Sequence, residues 1–71
     1  MQLSKEFVRF IRQNNRLSQR EFADRIGVSN SYVALVETGI KPVTPNLSKK
    51  IAKEFDIDAD YIEAARRFID V

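Results

Sequence analysis

Between Ser18 and Gly39 two short apolar periodicities are separated by a glycine, and this arrangement restricts the chain more than any other feature. Ser18 is a helix N-cap candidate with Glu21 three residues on, the spacing of a capping box. Phe22 and Ile26 follow as an i, i+4 apolar pair that stops at Gly27. Ser29 then caps a second helix with Val33 and Val36 as its buried stripe, and Gly39 supplies a left-handed stop. Helices this short do not persist alone in water. They must bury their apolar faces against each other and against a third helix.

The remaining sequence supplies partners for that pair. The first helix is expected from about Ser4 to Asn14, where Leu3, Phe7 and Ile11 recur every four residues and Val8 and Phe10 widen the stripe. The two helices of the glycine motif are expected over Gln19 to Arg25 and Asn30 to Thr38. A loop punctuated by Pro42 and Pro45 precedes a fourth, with Thr44 as cap and Pro45 at the first helical position. Its inner face is Leu47, Ile51, Ala52 and Phe55. The fifth starts near Asp58, whose side chain can cap, and continues through Tyr61, Ile62, Ala65, Phe68 and Ile69. No segment alternates in the manner of a strand. The expected fold is all-α, a compact five-helix domain spanning residues 1–71, without repeat, linker or low-complexity segment. A chain of 71 residues has room for one small core, burying roughly 60% of the surface its unfolded form exposes.

Composition excludes several classes of function. Hydrophobic content of 44% and charged content of 31% describe a globular chain, neither disordered nor membrane-embedded. No apolar run approaches a membrane span, and Met1-Gln2-Leu3-Ser4-Lys5-Glu6 is unlike a secretory signal, so the expected compartment is the cytoplasm. The glycosylation-like triplet Asn46-Leu47-Ser48 carries no weight in that setting. The chain has no cysteine and no histidine, which removes disulfides, thiol chemistry, the commonest metal ligand and the usual general base. Asp56, Asp58 and Asp60 imitate the start of a calcium loop. Tyr61 stands where that loop needs glycine, however, and Arg67 where it needs a bidentate glutamate. Enzymatic activity, a metal, a cofactor and a small-molecule ligand are all unexpected.

Charge is distributed unevenly. Residues 1–53 hold ten Lys and Arg against four acids, while residues 54–71 hold two against six. Binding a phosphate backbone requires a locally basic surface rather than a high total, so the helix pair lies in the half suited to nucleic acid. Two packed short helices of this kind leave one side of the second free to enter a DNA major groove.

The pattern as a whole resembles the phage-repressor, Cro or XRE-like helix-turn-helix DNA-binding domains. The resemblance is carried by Ile11-Arg12, Leu17-Ser18-Gln19, Phe22-Ala23, Ile26-Gly27-Val28-Ser29, Val33, Val36-Glu37 and Gly39. It continues through Ile51-Ala52-Lys53 and the apolar Phe55, Ile57 and Ile62. It implies that Gln19 places its amide on a phosphate and braces the groove-facing residues, beside the free N–H groups of its helix N-terminus. It also implies that Arg12 and Glu37 pair across the first and third helices, an arrangement suited to a planar guanidinium.

With Val33 and Val36 inward, Asn30, Ser31 and Leu35 face out as base contacts. Asn30 can pair bidentately with adenine, and Leu35 can touch a thymine methyl. Leu35 also admits another role, in the core or against a protein partner. Tyr32 either packs beside the second helix or directs its hydroxyl to a phosphate. Lys41 and Arg20 are the foremost further phosphate contacts, followed by Arg16 and Arg9. The exposed side of the third helix departs from the family in having no Arg or Lys, which speaks against guanine readout there.

The fifth helix is longer than a domain of this size needs. Tyr61, Ala65, Phe68 and Ile69 are therefore expected to form a homodimer interface on a palindromic operator, with half-sites about 34 Å apart. The alternative is that Phe68 and Ile69 fold back onto the first helix and complete a monomer's core. The expected function is sequence-specific binding of double-stranded DNA by a small prokaryotic or phage transcriptional regulator, a repressor acting by promoter occupancy. The contrasting function is a protein-interaction module that recruits a partner through Leu35 and the fifth helix.

Overall fold

The computed structural model describes residues 2–69, and over them the chain forms five helices and no strand. They are α1 (Lys5–Asn14), α2 (Gln19–Ile26), α3 (Asn30–Thr38), α4 (Pro45–Glu54) and α5 (Ala59–Ile69). Each begins where a side chain satisfies an otherwise free amide. Ser4, Ser18, Ser29 and Thr44 accept from Phe7, Glu21, Tyr32 and Leu47 N–H respectively, and Asp58 Oδ1 accepts from Tyr61 N–H at 2.8 Å. Such a cap contributes about 1 kcal/mol, a large share of what a two- or three-turn helix can gain locally. Ser4 thus precedes α1 instead of opening it, and Asp58 caps α5 in the expected place. Ile26 extends α2 by one residue beyond the expected end.

The helix ends use the left-handed backbone. Gly27 and Gly39 have φ of 73° and 88°. Two non-glycine residues do the same work, Arg16 at φ 56° and Asp56 at φ 53°. After Arg16, Leu17 N–H reaches back to the Arg12 carbonyl at 3.1 Å; after Asp56, Ile57 N–H reaches the Ala52 carbonyl at 2.9 Å. Both are the long hydrogen bond of a Schellman ending.

Phe22 and Ile11 are fully buried, with Ile51, Val8 and Val36 around them. Phe22 stacks on Phe55 of α4 with centroids 5.3 Å apart, and the guanidinium of Arg25 lies 4.9 Å above that second ring. Arg25 also pairs with Glu54 at 2.8 Å. Ser48 is buried, and its Oγ accepts from Leu3 N–H at 3.2 Å, which fixes the strand of chain leading into α1.

α5 lies against α1. Tyr61 packs near Phe7 with centroids 6.3 Å apart, and Asn14 Nδ2 donates to the Tyr61 hydroxyl at 3.3 Å. Ala65 is only 4% exposed. Tyr61, Ile62 and Ile69 are half-buried against the same core. This corrects the outward stripe expected of α5: Ala65 is a core residue, and Tyr61 and Ile69 flank it facing α1. The surplus apolar surface is absorbed within the chain because residues 61, 65 and 69 share one helical face. Phe68, at the edge of that face, differs. Its ring stacks on Phe10 with centroids 6.2 Å apart, yet it remains 77% exposed.

Candidate nucleic-acid interface

α2 and α3 are the most closely packed pair of helices and meet through Phe22, Ala23 and Ile26 on one side and Val33 and Val36 on the other. The turn between them depends on Gly27, since the left-handed conformation there costs an ordinary L-residue about 1 kcal/mol or more. Ser29 follows within two residues to start α3. The two helices are therefore held in a fixed relation by a turn of minimal length.

Glu37 anchors α3 from below. It is 2% exposed, and its carboxylate accepts from Arg12 Nε at 2.7 Å and Arg12 Nη2 at 3.0 Å, a two-pronged contact from α1. Gln19 Nε2 of α2 donates to the same carboxylate at 3.3 Å. Arg9 adds an ion pair at 3.6 Å and donates from Nη2 to the Glu37 carbonyl at 2.9 Å. Arg12 Nη1 further donates to the Leu17 carbonyl at 3.0 Å, tying in the turn between α1 and α2. Burial pushes the Glu37 carboxyl up, but hydrogen bonds from Arg12 and Gln19, with the charges of Arg12 and Arg9, outweigh it and hold its pKa below 4.5. The group is thus an ionised, fully partnered carboxylate that locks three helices together.

This geometry brings Arg12, Glu37 and Gln19 into one cluster. Arg9, expected only as a possible phosphate contact, belongs to it as well. Its place one turn before Arg12 on α1 is the signal in the sequence, since residues three apart share a face. Lys5, one turn earlier still, brings its ammonium to Gly39, where a Cβ would lie 2.8 Å from its Nζ. A cation there faces the negative end of α3.

Elsewhere on α3, Asn30 and Ser31 are exposed, Leu35 is half-buried and Tyr32 is half-buried against the core. Ala34 and Thr38, absent from the expected contacts, lie on the same outer face through the i, i+4 spacing from Asn30. Arg16 and Arg20 are exposed before and at the start of α2, and Lys41 is exposed just after α3. The cations Arg16, Arg20 and Lys41 are thus exposed around α2 and α3, while the acid of α3 is buried and paired with Arg12. Among the described residues no group of three His, Cys, Asp or Glu side chains is disposed to hold a metal, and no helix is long and apolar enough to cross a membrane.

The Helix-turn-helix family model matches residues 8–62, from α1 into α5. Among curated proteins, uncharacterised HTH-type transcriptional regulators from two strains of Mycobacterium tuberculosis are each 34% identical over 56 residues. Those matches cover 79% of this chain and 40% of each relative. No solved structure gives a significant match. The chain belongs to the XRE-like helix-turn-helix family, whose members bind DNA and regulate transcription and are generally non-enzymatic.

Proposed function

We propose that this domain, residues 1–71, binds double-stranded DNA sequence-specifically with α3 in the major groove, and that it represses transcription by occupying promoters. The carrying observation is the inward lock of Glu37, which fixes α3 against α1 and α2 while Asn30 and Ser31 stay exposed and Leu35 half-exposed. Base contacts are assigned to those three residues. Phosphate contacts are assigned to Gln19, Arg20, Arg16, Lys41 and the Tyr32 hydroxyl. Gln19 uses one amide hydrogen on Glu37 and has a second for a phosphate. A palindromic operator read by a homodimer completes the proposal, with exposed Phe68 at its interface in place of the broader α5 stripe.

The test is retention on a randomised duplex library at two salt concentrations. Arg16, Arg20 and Lys41 neutralise three phosphates per protomer, so log K should fall with log salt at a slope of about −2.7 for one protomer and about −5 for a dimer. An enriched palindrome with the steeper slope supports the proposal. Weak, unselective retention would favour a protein-recruiting module instead, for which the exposed Ile40 and Phe68, at 72% and 77%, offer apolar contacts.

A further inference from the structure

Building on the DNA-binding function proposed above, we infer that α3 reads A·T pairs, through adenine edges and thymine methyl groups, and has no charged reader that would select a G·C pair. In the major groove guanine is recognised chiefly by Arg or Lys at O6 and N7, and cytosine by a carboxylate accepting from N4. From Val28 to Ile40 the chain contains no Arg or Lys. Its single acid there, Glu37, is 2% exposed with its carboxylate already held by Arg12 and Gln19, and so is closed to a base. Both means of reading G·C are therefore missing from the face that enters the groove.

The side chains that are present match the other pair. Asn30, exposed in the first turn of α3, is the residue type that contacts adenine N6 and N7 together. Ala34 and Leu35 offer only carbon and suit the thymine C5 methyl. Thr38 donates its hydroxyl hydrogen to the Ala34 and Leu35 carbonyls, at 3.1 Å each, so what it adds to the face is a methyl group and an oxygen without a free hydrogen. Ser31 can bond either purine and does not discriminate. Affinity for the backbone comes from cations off this face, which leaves that face of α3 free of charge.

The inference is tested on the site enriched from the library by replacing thymines, one at a time, with deoxyuridine, which removes only the C5 methyl. Each contacted methyl should cost about fourfold in Kd, the value of burying one such group. Leu35→Ala should lose that sensitivity at one position while keeping it elsewhere, and the wild-type titration needs no variant to fold. A half-site whose groove-facing positions are G·C, or a deoxyuridine site bound as tightly as the thymine site, would overturn the inference while leaving DNA binding intact. Failure to retain any duplex would overturn the DNA-binding proposal and this inference with it.

Discussion

Replacing Glu37 with alanine tests the central structural claim, that one carboxylate holds α3 to α1 and α2. The substitution deletes an acceptor that is 2% exposed and leaves Arg12, with a side chain 15% exposed, facing a cavity. Removing one partner of a buried pair costs about 3 to 5 kcal/mol. The lower end applies, because Arg12 keeps its bond to the Leu17 carbonyl and has some access to water. A chain of 71 residues has a total stability of roughly 4 to 11 kcal/mol, so a loss of about 3 kcal/mol is severe. It corresponds to a fall in Tm of roughly 12 to 24 °C. Chemical denaturation of wild type, Glu37→Ala, Arg12→Ala and the double variant should give a coupling of about 2 kcal/mol or more.

The same carboxylate predicts a pH dependence. Its pKa in the folded state lies below the ordinary 4.5, so its contribution is fully present above that value and is lost as pH falls through the folded pKa. Glu21 titrates in the same direction, its pKa lowered first by the Ser18 backbone N–H and then by the Ser18 hydroxyl. The stability gap between wild type and Glu37→Gln isolates Glu37, and it should be open at neutral pH and close in acid. A Glu37→Ala melt within about 0.5 kcal/mol of wild type, the range of ordinary surface changes, or a gap that widens in acid, would refute the reasoning.

Three further outcomes are expected. Asn30→Ala should relax preference at one base, by about 1 to 3 kcal/mol of discrimination, whereas Lys41→Ala should weaken all sequences alike and make the salt slope shallower by about one per protomer; equal losses from Asn30→Ala on specific and random duplexes would count against base reading. Phe68→Glu should cut cooperative operator binding with a stability change within about 0.5 kcal/mol, since the ring is 77% exposed, and wild type that sediments as a monomer both free and on DNA would defeat the interface. Arg16→Gly should raise stability by about 0.5 kcal/mol, relief of left-handed strain exceeding the added chain entropy, and should still weaken DNA binding. Asp56→Gly should gain less, because aspartate tolerates that conformation better, and thermal melts of the two rank them.

The features legible in the sequence are those whose causes are local. Caps at Ser18, Ser29 and Thr44, the left-handed stop at Gly39 and the proline opening α4 each depend on a few adjacent residues, and each appears in the fold. The left-handed turns at Arg16 and Asp56 were not legible, because neither residue type demands them; the chain adopts them to turn α1 into α2 and α4 towards α5. The direction of the α5 stripe was equally hidden. Periodicity shows that Tyr61, Ala65 and Ile69 share a face, but whether that face meets α1 or a second copy depends on the space beside Phe7. At the site, the outer face of α3 could be read as far as Asn30, Ser31 and Leu35, and the same spacing extended by one turn reaches Ala34 and Thr38. Arg9 shares the α1 face of Arg12 by the i, i+3 rule, but that this face meets Glu37 depends on the approach of α1 to α3, which no local rule provides.

That cluster links stability to electrostatics. A helix that enters a polyanion's groove is weakened by any carboxylate on its surface, and α3 carries one. Turning Glu37 inward removes the repulsion, and burying it would be costly without partners. Arg12 and Arg9 supply two positive charges against its one, so the cluster as a whole remains cationic. The interaction that secures α3 therefore also keeps the DNA-facing half of the chain basic. Under the proposed function, attraction would come from cations outside the groove-facing stripe, and that stripe would not need charge of its own. On the proposed reading, cations around α3 would hold the DNA backbone, and the bases would be left to methyl groups and one amide.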